Sequence, residues 1–288
     1  MGDKRATPTP VKRLGRWIRS LSVREKVTMG VVAAIMLLIL LKVFVKKRTH
    51  FYVATQLAHS AGILVLIYKL TINKTCSGLS LKTQELTVIF LIIRIISHFT
   101  LVRNINIVLD TLTLGSTMWV IYMMRNKLKY TYMQGLDNLS LYYVLVPCAV
   151  VAVIGHPGWQ INFFREQFQF VRRLFYVYGL TVEAVSVLPQ LHLIQNAKMV
   201  EPFTGHYVFA LGVARFFSFA NWMIMLIDTK GSLLTQIGGG GGGRLYLLVA
   251  PLAELVQTFI LADFCYYYVK SVMEGRRLMR LPSLVSVV

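Results

Sequence analysis

Eight apolar runs, each near the length that a hydrocarbon core demands, constrain this chain more than any motif in it. A helix needs about 20 mostly apolar residues to cross a bilayer core. Such runs fall at about 27–45, 53–72, 84–102, 105–124, 140–156, 173–195, 207–227 and 245–269. Across 288 residues, 56% are hydrophobic and only 15% are charged, a balance that soluble domains of this length do not show. An all-α, polytopic membrane protein is the expected fold class. The first run follows a polar stretch of 26 residues, is too long for a signal peptide and precedes no small-residue cleavage site, so it reads as a retained anchor helix. Met1-Gly2 suggests N-myristoylation, but Ala6 stands where that modification needs Ser or Thr.

The net charge of +19 would point to nucleic acid in a soluble protein, yet its placement points to topology and lipid. With both termini in the cytosol and all eight runs spanning, most Lys and Arg fall on the cytosolic side, from Lys4 and Arg5 through Lys26 to Lys270 and Arg280. That asymmetry is the positive-inside pattern. The basic tail Lys4, Arg5, Lys12, Arg13, Arg16, Arg19, Arg24 and Lys26 would face anionic lipid headgroups, and no nucleic-acid partner is expected. Cys76, Cys148 and Cys265 are scattered, with neither metal spacing nor a disulfide framework.

This gives four segments: a basic tail at 1–26, an anchor at 27–45, a seven-helix body at 51–270 and a C-terminal tail at 271–288. Connections are short except 157–172 and 228–244. The latter holds six consecutive glycines at 238–243 without the Lys-Ser/Thr of a phosphate-binding loop, so it reads as a linker. A weak internal echo is present. In the stretch from Gln84 and in the stretch from Gly205, an arginine stands eleventh, at Arg94 and Arg215, as a parallel repeat of two three-helix units joined by a linker helix would produce.

Ionisable residues inside apolar runs cost about 2.5–3.5 kcal/mol each on insertion scales, so they are paired, solvated in a cavity or functional. Here they are His59, Arg94, His98, Asp110, Glu183, Arg215, Glu254 and Asp263. Arg94 and His98, four apart, share a helix face. Two readings stand side by side: the arginines neutralise buried acids such as Glu183, Glu254 or Asp263, or they line a wet site where a guanidinium fork receives a carboxylate. His59 is either a helix–helix hydrogen-bonding residue or a proton switch. Catalysis finds no support, for there is no His-Glu-x-x-His, no G-x-S-x-G and no acid pair of defined spacing. No cofactor or metal is expected.

Pro189-Gln190, in the stretch Val182-Glu-Ala-Val-Ser-Val-Leu-Pro-Gln-Leu191, predicts a helix hinge, since proline removes one intrahelical hydrogen bond. That stretch belongs to a collinear set: Lys74-Thr-Cys-Ser-Gly-Leu-Ser-Leu-Lys-Thr-Gln84, His206-Tyr207, Leu211-Gly212, Arg215, Asn221-Trp222, Val256-Gln257-Thr258 and Ala262-Asp263-Phe264. With these motifs the chain resembles the KDEL receptor family, the ER lumen protein-retaining receptors, over about residues 51–282. It looks most like the plant-type receptor-like branch with an extra N-terminal helix. The resemblance implies a seven-helix body similar to the SWEET and PQ-loop transporters. It also implies ER and Golgi membranes, and binding of luminal proteins' C-terminal retention tails for Golgi-to-ER retrieval in vesicle-mediated transport.

By resemblance, Arg94 receives the ligand's terminal carboxylate, His59 and Glu183 serve pH-sensitive binding, Asn221 and Trp222 line the pocket, and Asp263 acts as the trafficking switch. Other positions depart from the family pattern. Tyr52 and Met225 stand where the family has acid-binding arginines, Arg173 where it has a ligand-facing glutamate, Tyr176 for a tryptophan and Ala214 for the tyrosine that partners the buried glutamate. Each lost charge-assisted bond is worth about 1.5–3 kcal/mol, so two would weaken a Lys/His-Asp-Glu-Leu tail at least about a hundredfold. The C-terminal tail carries Arg276, Arg277 and Arg280 where the family has a lysine-rich segment that engages the vesicle coat. The expected function is a retention-signal receptor-like protein with an altered pocket. Two alternatives stand beside it: a transporter of a small solute, and a trafficking protein that no longer binds such tails.

Overall fold

The computed structural model describes residues 48–99, 105–154, 167–197, 201–229 and 246–273. The tail at 1–26, the anchor at 27–45, the glycine tract and residues 274–288 lie outside these, as do the side chains of Tyr52, His98 and Arg173. The described residues from Thr49 onward form one compact unit.

Helix α1 (Arg48–Tyr68) runs into a π-helical turn, Lys69–Asn73, and stops where Lys74 takes a left-handed φ of 51°. Next come α2 (Leu81–Phe99) and α3 (Ile105–Tyr122), the latter extended by a second π turn, Met123–Lys127. After α4 (Tyr142–Ile154), α5 (Gln167–Val185) and α6 (Leu188–Ala197) follow in close succession, and then α7 (Pro202–Asp228) and α8 (Tyr246–Met273). Among the described residues there is no strand.

This is an all-α membrane protein, and its polarity is inverted relative to a soluble one. Four stretches, Val53–Asn73, Ile107–Lys127, Leu174–Ala197 and Pro202–Asp228, are long and apolar enough to cross a bilayer. Large apolar side chains point outward, with Leu64 at 64%, Leu112 at 64% and Phe259 at 70% exposure, while Asp110 and Gln190 are at 0%. In water that exposed surface would be costly; in lipid it is solvated, and the polar groups must find partners inside.

Helix α2 packs on α3 and α5, α5 packs also on α4 and α8, and α8 packs on α7. One apolar cluster joins Leu66 of α1 and Leu70 of the π turn after it to Met124, Val208, Leu211 and Leu261. A second joins Leu86, Phe90 and Leu91 of α2 to Val144, Cys148 and Val182. Close approach is set by glycine at the α2–α5 contact, where a Cβ on Gly179 would stand 2.8 Å from Ile93 Cγ2.

The span expected at 173–195 is a helix broken in two. Its interruption lies at Ser186-Val187, just before Pro189, whose ring excludes a continuous ladder. The Glu183 carbonyl, released there, accepts from Ser186 Oγ at 2.8 Å and from Gln257 Nε2 at 3.1 Å. Gln190 is fully buried and bridges to the loop before α2, accepting from Ser80 N–H at 2.9 Å and donating to Gly78 C=O at 2.7 Å. Gly78 takes φ +74° there, a left-handed conformation that favours glycine.

The same end of the molecule carries two charged anchors. Ser80 caps α2 through Thr83 N–H, and Asp137 accepts from Ser80 Oγ, from Leu81 N–H and from Tyr132 Oη at 2.6 Å. A carboxylate beside a helix N-terminus is favoured by the orphan N–H groups and the dipole. Burial, followed by the bond to Asp137, raises the Tyr132 phenol well above its usual range, so it remains a donor. Lys69, with no exposure, reaches Glu201 Oε2 at 2.8 Å, Thr204 Oγ1 at 2.8 Å and Ser77 C=O at 2.5 Å.

Candidate functional site

At the opposite end of the helices, inside the bundle, a cavity of about 190 Å³ is lined from α1, α2, α5, α7 and α8. Its charged residues are Arg94, Glu183, Arg215 and Glu254, with Asn221, Trp222 and Tyr176 among the remaining wall.

Arg94 comes from α2 and has 19% of its side chain exposed. Its Nη2 donates to Asp110 Oδ1 at 2.6 Å and its Nε to Asp110 Oδ2 at 3.2 Å, a two-pronged clamp. Its Nη1 donates to Glu183 Oε1 at 3.0 Å. Phe90, one turn earlier, places its ring 5.5 Å from the guanidinium carbon, within cation–π range. Asp110 also accepts from Gln56 Nε2 of α1. Four helices thus meet through one guanidinium and its acids.

Glu183 Oε1 takes a second guanidinium as well, from Arg215 Nη1 of α7 at 2.7 Å. The two arginines that stand eleventh in their respective stretches therefore converge on one carboxylate. Of the two readings of these arginines, pairing with buried acids is what the geometry shows, and Arg94 keeps a cavity-facing edge besides. His59 is 6% exposed on α1 and is not among the cavity's lining residues.

Glu254 of α8 is the one lining acid that neither arginine bonds among the described residues. Its Oε1 accepts from Ser218 Oγ at 2.7 Å, while Oε2 is buried without a partner, as is Asn221 Oδ1. Ala214 is buried beside Arg215, Met225 is half-buried, and Tyr176 is 39% exposed. Asp263 stands apart, exposed on α8 and away from the cavity, and Pro189 and Gln190 belong to the opposite end. Among the described residues no group of three or more His, Cys, Asp or Glu is placed to hold a metal.

Three features escaped sequence reasoning. Asp110 is visible in the sequence as an intramembrane acid, and its pairing with Arg94 is not. A signal existed: the two flank residue 102 by eight positions each, and antiparallel helices joined by a short connection bring equidistant residues to one level. Glu254 reads in the sequence as a counter-ion for an arginine, and nothing there pairs it with Ser218. Lys69, buried against Glu201, is indistinguishable in sequence from any loop cation.

Comparison with known proteins gives the family of the chain. A family profile described as ER lumen protein retaining receptor matches residues 75–225. The ER lumen protein-retaining receptor of Petunia hybrida is 30% identical, the alignment covering 77% of this chain and 94% of that protein. That of Drosophila melanogaster is 30% identical over 79% of this chain and 97% of its own length. ER lumen protein-retaining receptor B of Arabidopsis thaliana is 31% identical over 79% and 97%. The chain belongs to this family. Arg94, Asp110, Glu183, Arg215, Asn221 and Trp222 fall inside the profile match, while His59, Glu254 and Asp263 fall outside it.

Proposed function

We propose that this protein is a retention-signal receptor-like protein of ER and Golgi membranes, one that takes the C-terminal carboxylate of a luminal protein's tail against Arg94 and supports its retrieval from Golgi to ER. The observation that carries the reading is Arg94 itself, a guanidinium fixed on three atoms by Asp110 and Glu183 and still 19% exposed at a cavity wall. Such fixing removes the ordering cost of a long side chain and holds the guanidinium at the cavity wall. It also costs affinity, because the incoming carboxylate shares the cation with two internal ones.

In this reading residues 51–270 are the receptor body and 27–45 a further span. The cavity end faces the lumen, while 1–26 and 271–288 lie in the cytosol, where lipid headgroups and a vesicle coat meet the basic tails. His59 tunes the cluster, Asn221 and Trp222 contact the tail, Asp263 serves transport, and the break before Pro189-Gln190 is the hinge.

The test is binding of an HDEL-type peptide to the full chain in nanodiscs at pH 5.5 and 7.2. Saturable binding at either pH supports the receptor reading; none at both, with the protein folded, rejects it. One observation favours a second reading: about 190 Å³ is below the roughly 300–1,000 Å³ of typical ligand pockets, which suits a small transported solute. Uptake into proteoliposomes separates the two, since a receptor gives none.

A further inference from the structure

Among the described residues the cavity cluster holds more acids than arginines. Arg94 and Arg215 supply two cations, and Asp110, Glu183 and Glu254 three carboxylates. Both arginines bond to Asp110 or Glu183, and Glu254 is the acid left over. It is 5% exposed, a single hydroxyl, Ser218 Oγ, bonds its Oε1, and its Oε2 is buried at the cavity with no partner. One turn after Ser218 on α7, Asn221 Oδ1 lines the same cavity, also buried and without a partner. Two orphaned acceptors facing one void leave desolvation uncompensated, and a donor placed between them would satisfy both, most strongly one that carries charge to the carboxyl group.

We infer that Glu254 and Asn221 form a binding site for a primary ammonium group, with Glu254 Oε2 supplying the charge-assisted acceptor and Asn221 Oδ1 a second acceptor. An ammonium has three donors and no acceptor, which matches the two unpartnered acceptors on the α7–α8 side of the cavity. A guanidinium is planar and larger, and an anion would meet Glu254 head-on. The site needs no terminal carboxylate at Arg94: failure of HDEL-type peptides to bind leaves it untouched, and its failure leaves the peptide reading untouched.

The experiment titrates the full chain in phosphatidylcholine nanodiscs with propylammonium and, at equal ionic strength, with its neutral counterpart 1-propanol, reading tryptophan fluorescence, since Trp222 lines the cavity. Propylammonium should bind saturably and at least tenfold tighter than propanol, and Glu254→Gln should bring the two to within about twofold of each other. Asn221→Asp, which keeps the fold's own acid and adds a second, should tighten propylammonium several-fold and decides the matter if Glu254→Gln does not assemble. Equal affinity for amine and alcohol, an amine preference that survives Glu254→Gln, or no gain in Asn221→Asp would overturn the site. Replacing phosphatidylcholine with phosphatidylethanolamine identifies the source: competition points to a lipid headgroup, and none points to a soluble amine.

Discussion

A guanidinium carries five N–H donors, and Arg94 commits three of them to Asp110 and Glu183. Such a buried network is far more costly to break than it was valuable to form. Glu183→Gln should therefore leave Arg94 and Arg215 facing each other across a neutral amide and lower stability by about 3–5 kcal/mol, read as loss of the folded fraction in a detergent thermal-unfolding series. Arg94 was legible in sequence because a cation in oil stands out. Its occupancy was not, because pairing depends on helix azimuth, and α3 carries other polar groups, Thr111, Thr113 and Thr117, that could as well have faced α2. Only Thr113 and Thr117 turned out buried with Asp110.

At the scale of elements, the α5–α6 break and the loop before α2 hold each other through Gln190. Gln190→Leu would leave the buried Ser80 N–H and the half-buried Gly78 C=O without that partner. At about 1–3 kcal/mol per orphaned group, stability should fall by about 2–5 kcal/mol, and hydrogen exchange should rise first at residues 78–82. Gly179→Val tests the α2–α5 approach: its Cβ would strike Ile93, forcing the helices apart at a cost of about 1–3 kcal/mol and lengthening the Arg94–Glu183 contact. The existence of these helices followed from apolar runs. The break followed from a proline. The Asp137 bond to the start of α2 did not, since a loop aspartate more than fifty residues away gives no local sign of the N-terminus it will meet.

For the whole molecule, orientation rests on the distribution of Lys and Arg, and it makes a prediction for the end where Lys69, Asp137 and Gln190 cluster. Tyr130 is 78% exposed there, and a cysteine in its place should react with a membrane-impermeant maleimide from the cytosolic side alone. Labelling from the lumen would invert the topology and move the cavity to the cytosol. The central claim is that Arg94, already clamped by Asp110, is the seat of a ligand carboxylate. It is tested most directly by the dissociation constant of an HDEL-type peptide as free acid and as C-terminal amide, on wild type and on Asp110→Asn in nanodiscs. The account predicts that the free acid binds at least tenfold tighter than the amide and that Asp110→Asn, by releasing Arg94, widens that ratio about another tenfold. Equal affinities for acid and amide in both proteins would contradict it.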